Sequence, residues 1–486
     1  MRTRVTAAYV LGHRQGRHVM LHNAEVVYEG DRVVFVGHGG GQSVDTTIDL
    51  GESLVMPGLI DLDALTDIDH MLLDSWGSPD QLDGLLWSES YFQDRRRDVF
   101  SFEERLELRE YALVQLALHG VTTYMPIADE THSAWAETYE ELASVADLSR
   151  GLGLRAYLGP SYRSGVNVIR ADGVQEVRFN EDLGRASLAD AIRFLDYCAE
   201  LADPLVNGAL LPCRIETLTE EIMRTTAQVS AERGVPVRLH ALQSLVELRL
   251  VQEQYGESPL QLLHRNGLLN ERLLIPHGLY TDRNRLVYGE DRGDLARLAA
   301  SGASVVHCPL TSLRRGKVLE SFGAYLDAGV NICLGTDSFP PDLIRGMDVG
   351  VHLAKYVDGR ADAAPVERYV EAATLGGAKA LRREDLGRLE AGAQADLVAF
   401  RLDDLRDGVH DDPIRTLVLN GTARQVIHSV VAGRTVVQDG VVPGIDMRRL
   451  RARAQGLFEK MKSAYAERDY RHRTAAELFP ATFPEV

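Results

Sequence analysis

Several short apolar runs in this 486-residue chain end in side chains that can hold a metal ion or move a proton. One run ends Pro57-Gly-Leu-Ile-Asp-Leu-Asp63-Ala-Leu65. Another ends Val237-Arg-Leu-His240 and is followed by Gln243 and Glu247. Further on come His277, the tripeptide His307-Cys308-Pro309, and Asp337 within Gly-Thr-Asp-Ser338. Imidazoles and carboxylates at the ends of separate strands can converge on one point, which is how a transition-metal site is assembled from distant sequence. Each also has a plainer reading. A lone strand-end histidine is commonly structural, Asp337 could cap the next helix, and Cys308 could be a packed thiol. Their joint order favours chemistry. Arg163 and Arg214 could bind an anionic substrate group. The segment Ser75–Phe100 offers Trp76, Trp87 and Tyr91 to stack on a planar ring. Thr66-Asp67-Ile-Asp69-His70 reads as the start of a helix or a second polar cluster.

Eight runs would position these groups: Leu54–Asp63, Gly120–Pro126, Arg155–Gly159, Ala209–Cys213, Pro236–His240, Leu273–His277, Ser304–Cys308 and Asn331–Asp337. Helix-like stretches such as Glu104–His119 separate them. Continuous apolar strands alternating with helices indicate a parallel sheet covered on the outside. Eight of them predict an α/β fold, a (β/α)8 TIM-type barrel spanning 57–386, rather than an open doubly wound sheet. Both chain ends read as β: a hairpin over Ala24–Gly37, a strand at Ala395–Phe400, and a hairpin over Gln425–Gln438. Residues 1–56 and 387–445 are therefore expected to pair into a small β-sandwich domain. Residues 446–486 should form a C-terminal helix, Met447–Tyr465, and a docked tail.

Composition narrows the function. A formal charge of −18 speaks against nucleic acid or an anionic membrane as partner. Four cysteines without CxxC spacing fit a reducing compartment, and the N-terminus shows no long apolar stretch. A cytoplasmic protein acting on a small molecule is the expectation.

The ordered motifs resemble the amidohydrolase superfamily, in its cytosine-deaminase and chlorohydrolase-like branch. Leu54-Val-Met-Pro-Gly-Leu-Ile-Asp61 is similar to the strand-one signature, and His240 to Glu247 to the strand-five HxxExxxE segment. His277-Gly278, His307-Cys-Pro-Leu-Thr-Ser312 and Gly335-Thr-Asp-Ser338 resemble strands six, seven and eight. Gly387-Arg-Leu-Glu-Ala-Gly-Ala-Gln-Ala-Asp-Leu-Val398 resembles the return into the small domain. The resemblance implies metal-assisted hydrolysis, with His240, His277 and Asp337 as ligands, Asp337 and His277 as catalytic groups, and a homodimer or larger homo-oligomer.

Two positions depart from that pattern. Where the family has two histidines on strand one, this chain has Asp63 and Leu65. Residues i and i+2 of a strand face the same way, so at most Asp63 can ligate there. A second carboxylate would bring a divalent ion close to neutrality and weaken its acidification of water. It would also favour harder ions such as manganese or ferrous iron, and since the resemblance implies zinc or iron, the ion is expected to be zinc, iron or manganese. Gln243 stands where the family has a proton-shuttling glutamate, and an amide orients but carries no proton. Gln243, His307, Arg163, Arg214 and Trp87 are the expected substrate contacts. The expectation is a metal-dependent hydrolase of a C–N or C–Cl type bond in a small nitrogenous ring or amide. The alternatives are a metal-independent barrel enzyme using Asp63, His277 and Asp337 as acid–base groups, and a catalytically silent ligand-binding homologue.

Overall fold

The computed structural model describes residues 1–39, 41–68, 86–127 and 131–484. Eight short parallel strands carry the middle of the chain: Leu59–Ala64 (β1), Val121–Pro126 (β2), Arg155–Leu158 (β3), Val206–Gly208 (β4), Val237–Arg238 (β5), Leu273–Pro276 (β6), Ser304–His307 (β7) and Asn331–Leu334 (β8). They are ordered β4-β3-β2-β1 in one four-stranded sheet and β5-β6-β7-β8 in another. Every pairing within the two sheets is parallel. The sheets touch at two seams. At the first, Leu210 pairs with Val237 in a parallel bridge, flanked by backbone hydrogen bonds Leu210 N–Pro236 O and Arg238 N–Leu210 O, both 3.0 Å. At the second, Asp337 N donates to Asp63 O at 2.8 Å, and Asp61 accepts from both N and Oγ1 of Thr336.

Each expected run coincides with one of these strands, with two adjustments. The first run breaks at Pro57-Gly58. Residues Ser53–Pro57 join the terminal sheet, and β1 begins only at Leu59. Proline ends a ladder because it has no N–H to donate. Gly58 permits the turn because a Cβ there would lie 2.1 Å from Oγ1 of Thr122. The fourth run starts earlier than its apolar residues suggest, since Val206–Gly208 makes the ladder to β3 and Leu210 the bridge to β5.

The chain ends do pair. Strands Ser53–Pro57 and Leu397–Arg401 run antiparallel, and one eight-stranded sheet also takes in Arg2–Arg14, Arg17–Glu29, Arg32–Gly37, Thr46–Asp49, Val426–Val431 and Arg434–Gln438. Its buried residues, among them Val5, Val26, Val55, Leu397 and Val430, form a core of their own. The helix Phe102–Leu118 (α1) starts on a capping box at Ser101 and Glu104, which satisfies two otherwise orphaned N–H groups. The C-terminal helix runs Met447–Arg468 (α2) and lies against α1. Leu457, Met461 and Tyr465 bury against Leu108 and Phe479. Glu107–Arg453 and Glu104–Lys460 ion pairs, 2.6 Å each, edge the contact. Among the described residues, no helix is long and apolar enough to cross a membrane.

Candidate metal and active site

The side chains that end β1, β5, β6 and β8 meet. One donor atom each from Asp63, His240 and His277 lies within 4.8 Å of the others, and all three residues are buried. Asp63 Oδ2 is 3.6 Å from His240 Nε2, and Asp337 Oδ2 is 3.4 Å from His277 Nε2. Ligands about 2.1 Å from a tetrahedral ion sit roughly 3.4 Å apart, so this spacing suits one. The backbone aims the groups. His277 and Asp337 both take left-handed conformations, φ 69° and 39°, and Leu242 does so at 59°. Such strain persists only where the surroundings over-determine it.

Protonation also suits ligation. His240 Nδ1 lies 3.0 Å from the carbonyl of Cys213 and donates there, which turns Nε2 toward Asp63. Burial, with His240 beside it, pushes the His277 imidazole well below its ordinary range and keeps it neutral. Burial also raises the Asp337 carboxyl well above the carboxylate range, and the nearby Asp63 charge adds to this. Burial alone would raise Asp63 too. The His240 imidazole and the Arg238 guanidinium outweigh it and hold Asp63 well below the usual range.

Gln243 links the cluster to the rim. Its Oε1 accepts from Arg214 Nη1, which turns its amide nitrogen toward His277 Nε2 at 3.1 Å. Its own carbonyl accepts from Lys317 Nζ at 3.3 Å. Burial, together with Arg315 and Arg214 nearby, lowers the Lys317 ammonium to about 8. Glu247 braces this turn from the helix Leu245–Tyr255 (residues after the β5 end), accepting the backbone N–H groups of Leu242 and Gln243 at 2.6 and 2.9 Å. Burial, with the Glu216 charge, raises its carboxyl to about 8.

Other expected residues lie elsewhere. His307 does not join the cluster: its ring packs 5.9 Å from Phe322 and 6.1 Å from Tyr369. The strand alternation that turns His307 outward turns the next thiol inward, and Cys308 Sγ lies 3.8 Å from Asp63 Oδ2. Arg163 meets Trp87 rather than the donor cluster. Its guanidinium lies 5.1 Å from the Trp87 ring and 5.4 Å from Trp135. Leu65 is buried and offers no donor. Thr66 accepts from Arg109 Nη1 at 2.6 Å, and Thr66–Ile68 is not helical. Asp69, His70 and Trp76 lie outside the described residues.

Two residues at the site, Arg238 and Lys317, went unremarked in the sequence, and Cys308, expected as a packed thiol, faces Asp63. Arg238 is the weightiest. It is wholly buried and donates from Nη1 to Asp63 Oδ1 at 2.6 Å. It lies two residues before His240, a spacing that puts both side chains on one face.

A family profile, that of the amidohydrolase family, matches residues 54–436. The chain belongs to the amidohydrolase family. Its curated relatives are deaminases, and the chain is a hydrolase acting on carbon–nitrogen bonds. It is 30% identical to a 5-methylthioadenosine/S-adenosylhomocysteine deaminase of Halobacterium salinarum, over 89% of this chain and 92% of that protein. A triazine hydrolase from Arthrobacter aurescens superposes with a TM-score of 0.77 at 21% identity, covering 94% of this amidohydrolase and 99% of the other chain. An adenosine deaminase from Xanthomonas campestris with bound zinc gives 0.75 at 22% identity, over 95% and 98%.

Proposed function

We propose that this amidohydrolase is a metal-dependent hydrolase that replaces an amino or halide substituent of a small nitrogenous ring by hydroxyl. The convergence of Asp63, His240 and His277 within 4.8 Å, with Asp337 beside His277, carries the reading. The curated deaminase relative and the triazine-hydrolase fold supply the class of bond. The eight parallel strands are then one (β/α)8 barrel over 57–386. The terminal sheet, 1–56 with 387–445, is its folded-over sandwich domain, and 446–486 forms the C-terminal addition.

A divalent ion held by Asp63, His240, His277 and Asp337 would supply Lewis acidity toward water and the ring substituent. The chain's own residues do the rest. Asp337, whose carboxyl burial makes a stronger base than usual, takes the proton from the attacking water and passes it to the departing amino group, which leaves as ammonia; where chloride departs instead, Asp337 gives the proton up to solvent water. Gln243, fixed by Arg214, orients the ring and carries no proton.

Two measurements test this. Full-length protein expressed in metal-supplemented medium should contain close to one equivalent of zinc, iron or manganese by elemental analysis. It should also release ammonia or chloride from a panel of aminopurine nucleosides, oxidised purines and chlorotriazines. Essentially metal-free protein would retire the reading. A second reading has an observation in its favour: Arg238 already occupies one oxygen of Asp63. An enzyme using Asp63, His277 and Asp337 without metal would keep its full activity after chelation.

A further inference from the structure

Arg238 and Asp63 are 0% exposed and lie 175 residues apart in the chain. Asp63 divides its two oxygens. Oδ1 accepts from Arg238 Nη1 at 2.6 Å, while Oδ2 faces His240 Nε2 at 3.6 Å and the Cys308 thiol at 3.8 Å. The guanidinium is poorly satisfied beyond this bond, since Nε and Nη2 have no hydrogen-bond partner among the described residues. A buried cation with unmet donors is a costly brace. Two packed apolar side chains would commonly join β1 to β5 at no loss of stability. What only Arg238 supplies is positive charge beside Asp63.

That charge answers the difficulty Asp63 creates. Two carboxylates, Asp63 and Asp337, would cancel a divalent ion and blunt its pull on water. With Arg238 counted, the donor set presents a single net negative charge, the same as a set holding Asp337 alone. We propose that Arg238 is a positioning residue that compensates the Asp63 carboxylate, so that a donor set with an acid in place of histidine keeps its ion net positive. Arg238 acts through Asp63 and touches no reacting atom. The two residues form one functional unit.

This inference rests on the metal reading above, and its test reads metal affinity rather than turnover. Zinc is titrated calorimetrically into chelator-stripped full-length protein and four variants. R238Q should bind zinc about tenfold more tightly than wild type, because a repelling charge is gone. R238K, which keeps the charge, should stay within about threefold. D63N should bind about 100-fold more weakly, since it leaves Arg238 unopposed beside the ion. Adding R238Q to D63N should recover at least about tenfold of that loss. A merely structural Arg238 would, when replaced, lower the unfolding temperature of the stripped protein and leave zinc affinity unchanged in both the wild-type and D63N backgrounds, which overturns the proposal. If R238Q alone does not fold, the comparison of D63N with D63N/R238Q decides: recovery supports compensation and its absence refutes it. Wild-type protein that takes up no zinc defeats both this inference and the metal reading. Wild-type binding that D63N weakens, but that R238Q leaves unchanged in both backgrounds, defeats this inference alone.

Discussion

On the β6 and β8 side of the donor cluster, the backbone is bent into left-handed conformations at His277 and Asp337, and the two side chains face each other at 3.4 Å. On the β1 and β5 side no donor-bearing residue has a positive φ, and the unusual feature is electrostatic: a buried carboxylate shared between Arg238 and the cluster. The contrast shows which kind of feature is easily exchanged. A strained strand end costs roughly 1–3 kcal/mol and needs its whole surroundings to hold it. A side chain on a regular strand can change identity, provided something nearby absorbs the change in charge. Here Arg238 absorbs it. Geometry lies mainly on one side of the site and charge adjustment on the other.

The largest effect should come from the geometric side. D337N is nearly isosteric and removes the base, so kcat should fall by about a thousandfold or more on whichever substrate the panel identifies. Stability of the chelator-stripped protein should hold or rise, because without an ion burial disfavours the Asp337 carboxylate. Chemical denaturation alongside steady-state kinetics separates the two readouts. Substantial turnover in D337N would move the proton acceptor to the Asp63 side and invert the comparison.

An intermediate effect should come from the seam where the two sides meet. Gly335 lets β8 approach β1, and a Cβ there would lie 2.6 Å from Cβ of Asp63 and 2.9 Å from Cγ1 of Val306. Both are backbone-proximal atoms of packed strands, so they cannot swing aside. G335A should cost about 1–3 kcal/mol of unfolding free energy in urea. It should also weaken zinc binding, because Asp63 would be displaced. A stable G335A protein with wild-type zinc affinity would show that the seam does not set the position of Asp63.

The eight strands were legible because each is a short apolar run closed by a polar or Gly/Pro signal, and parallel strands buried on both faces leave that mark. Asp63, His240, His277, Gln243 and Asp337 were legible as strand ends. The left-handed φ values at His277 and Asp337 were not, since neither residue type announces such a conformation as glycine does. Arg238 was hidden by its type. An arginine between a valine and a leucine reads as a strand residue turned to solvent, and only the fold shows that its guanidinium reaches Asp63 on β1. His307 misled for the opposite reason. A histidine beside Cys-Pro at a strand end looks like site chemistry, yet alternation along β7 sends it outward and Cys308 inward.

His307 gives the smallest effect and a control outside both halves. Burial against Phe322 and Tyr369 lowers its imidazole from 6.5 to about 3, and its Nδ1 has no hydrogen-bond partner among the described residues. In the unfolded chain the ring protonates near its ordinary value, so below that point the unfolded state binds the extra proton. The stability that the neutral ring contributes is therefore intact above about pH 6.5 and declines as the pH falls from there toward 3. The loss should reach about 1.4 kcal/mol by roughly pH 5.5. H307F fills the same aromatic slot and cannot titrate. Urea unfolding of wild type and H307F at several pH values should give curves that coincide in slope near neutrality and diverge on acidification, the variant falling less. Equal slopes throughout would place His307 in contact with a compensating acid. They would reopen the possibility that it serves the site, whereas a shallower H307F curve leaves the chemistry to the four strand ends that converge.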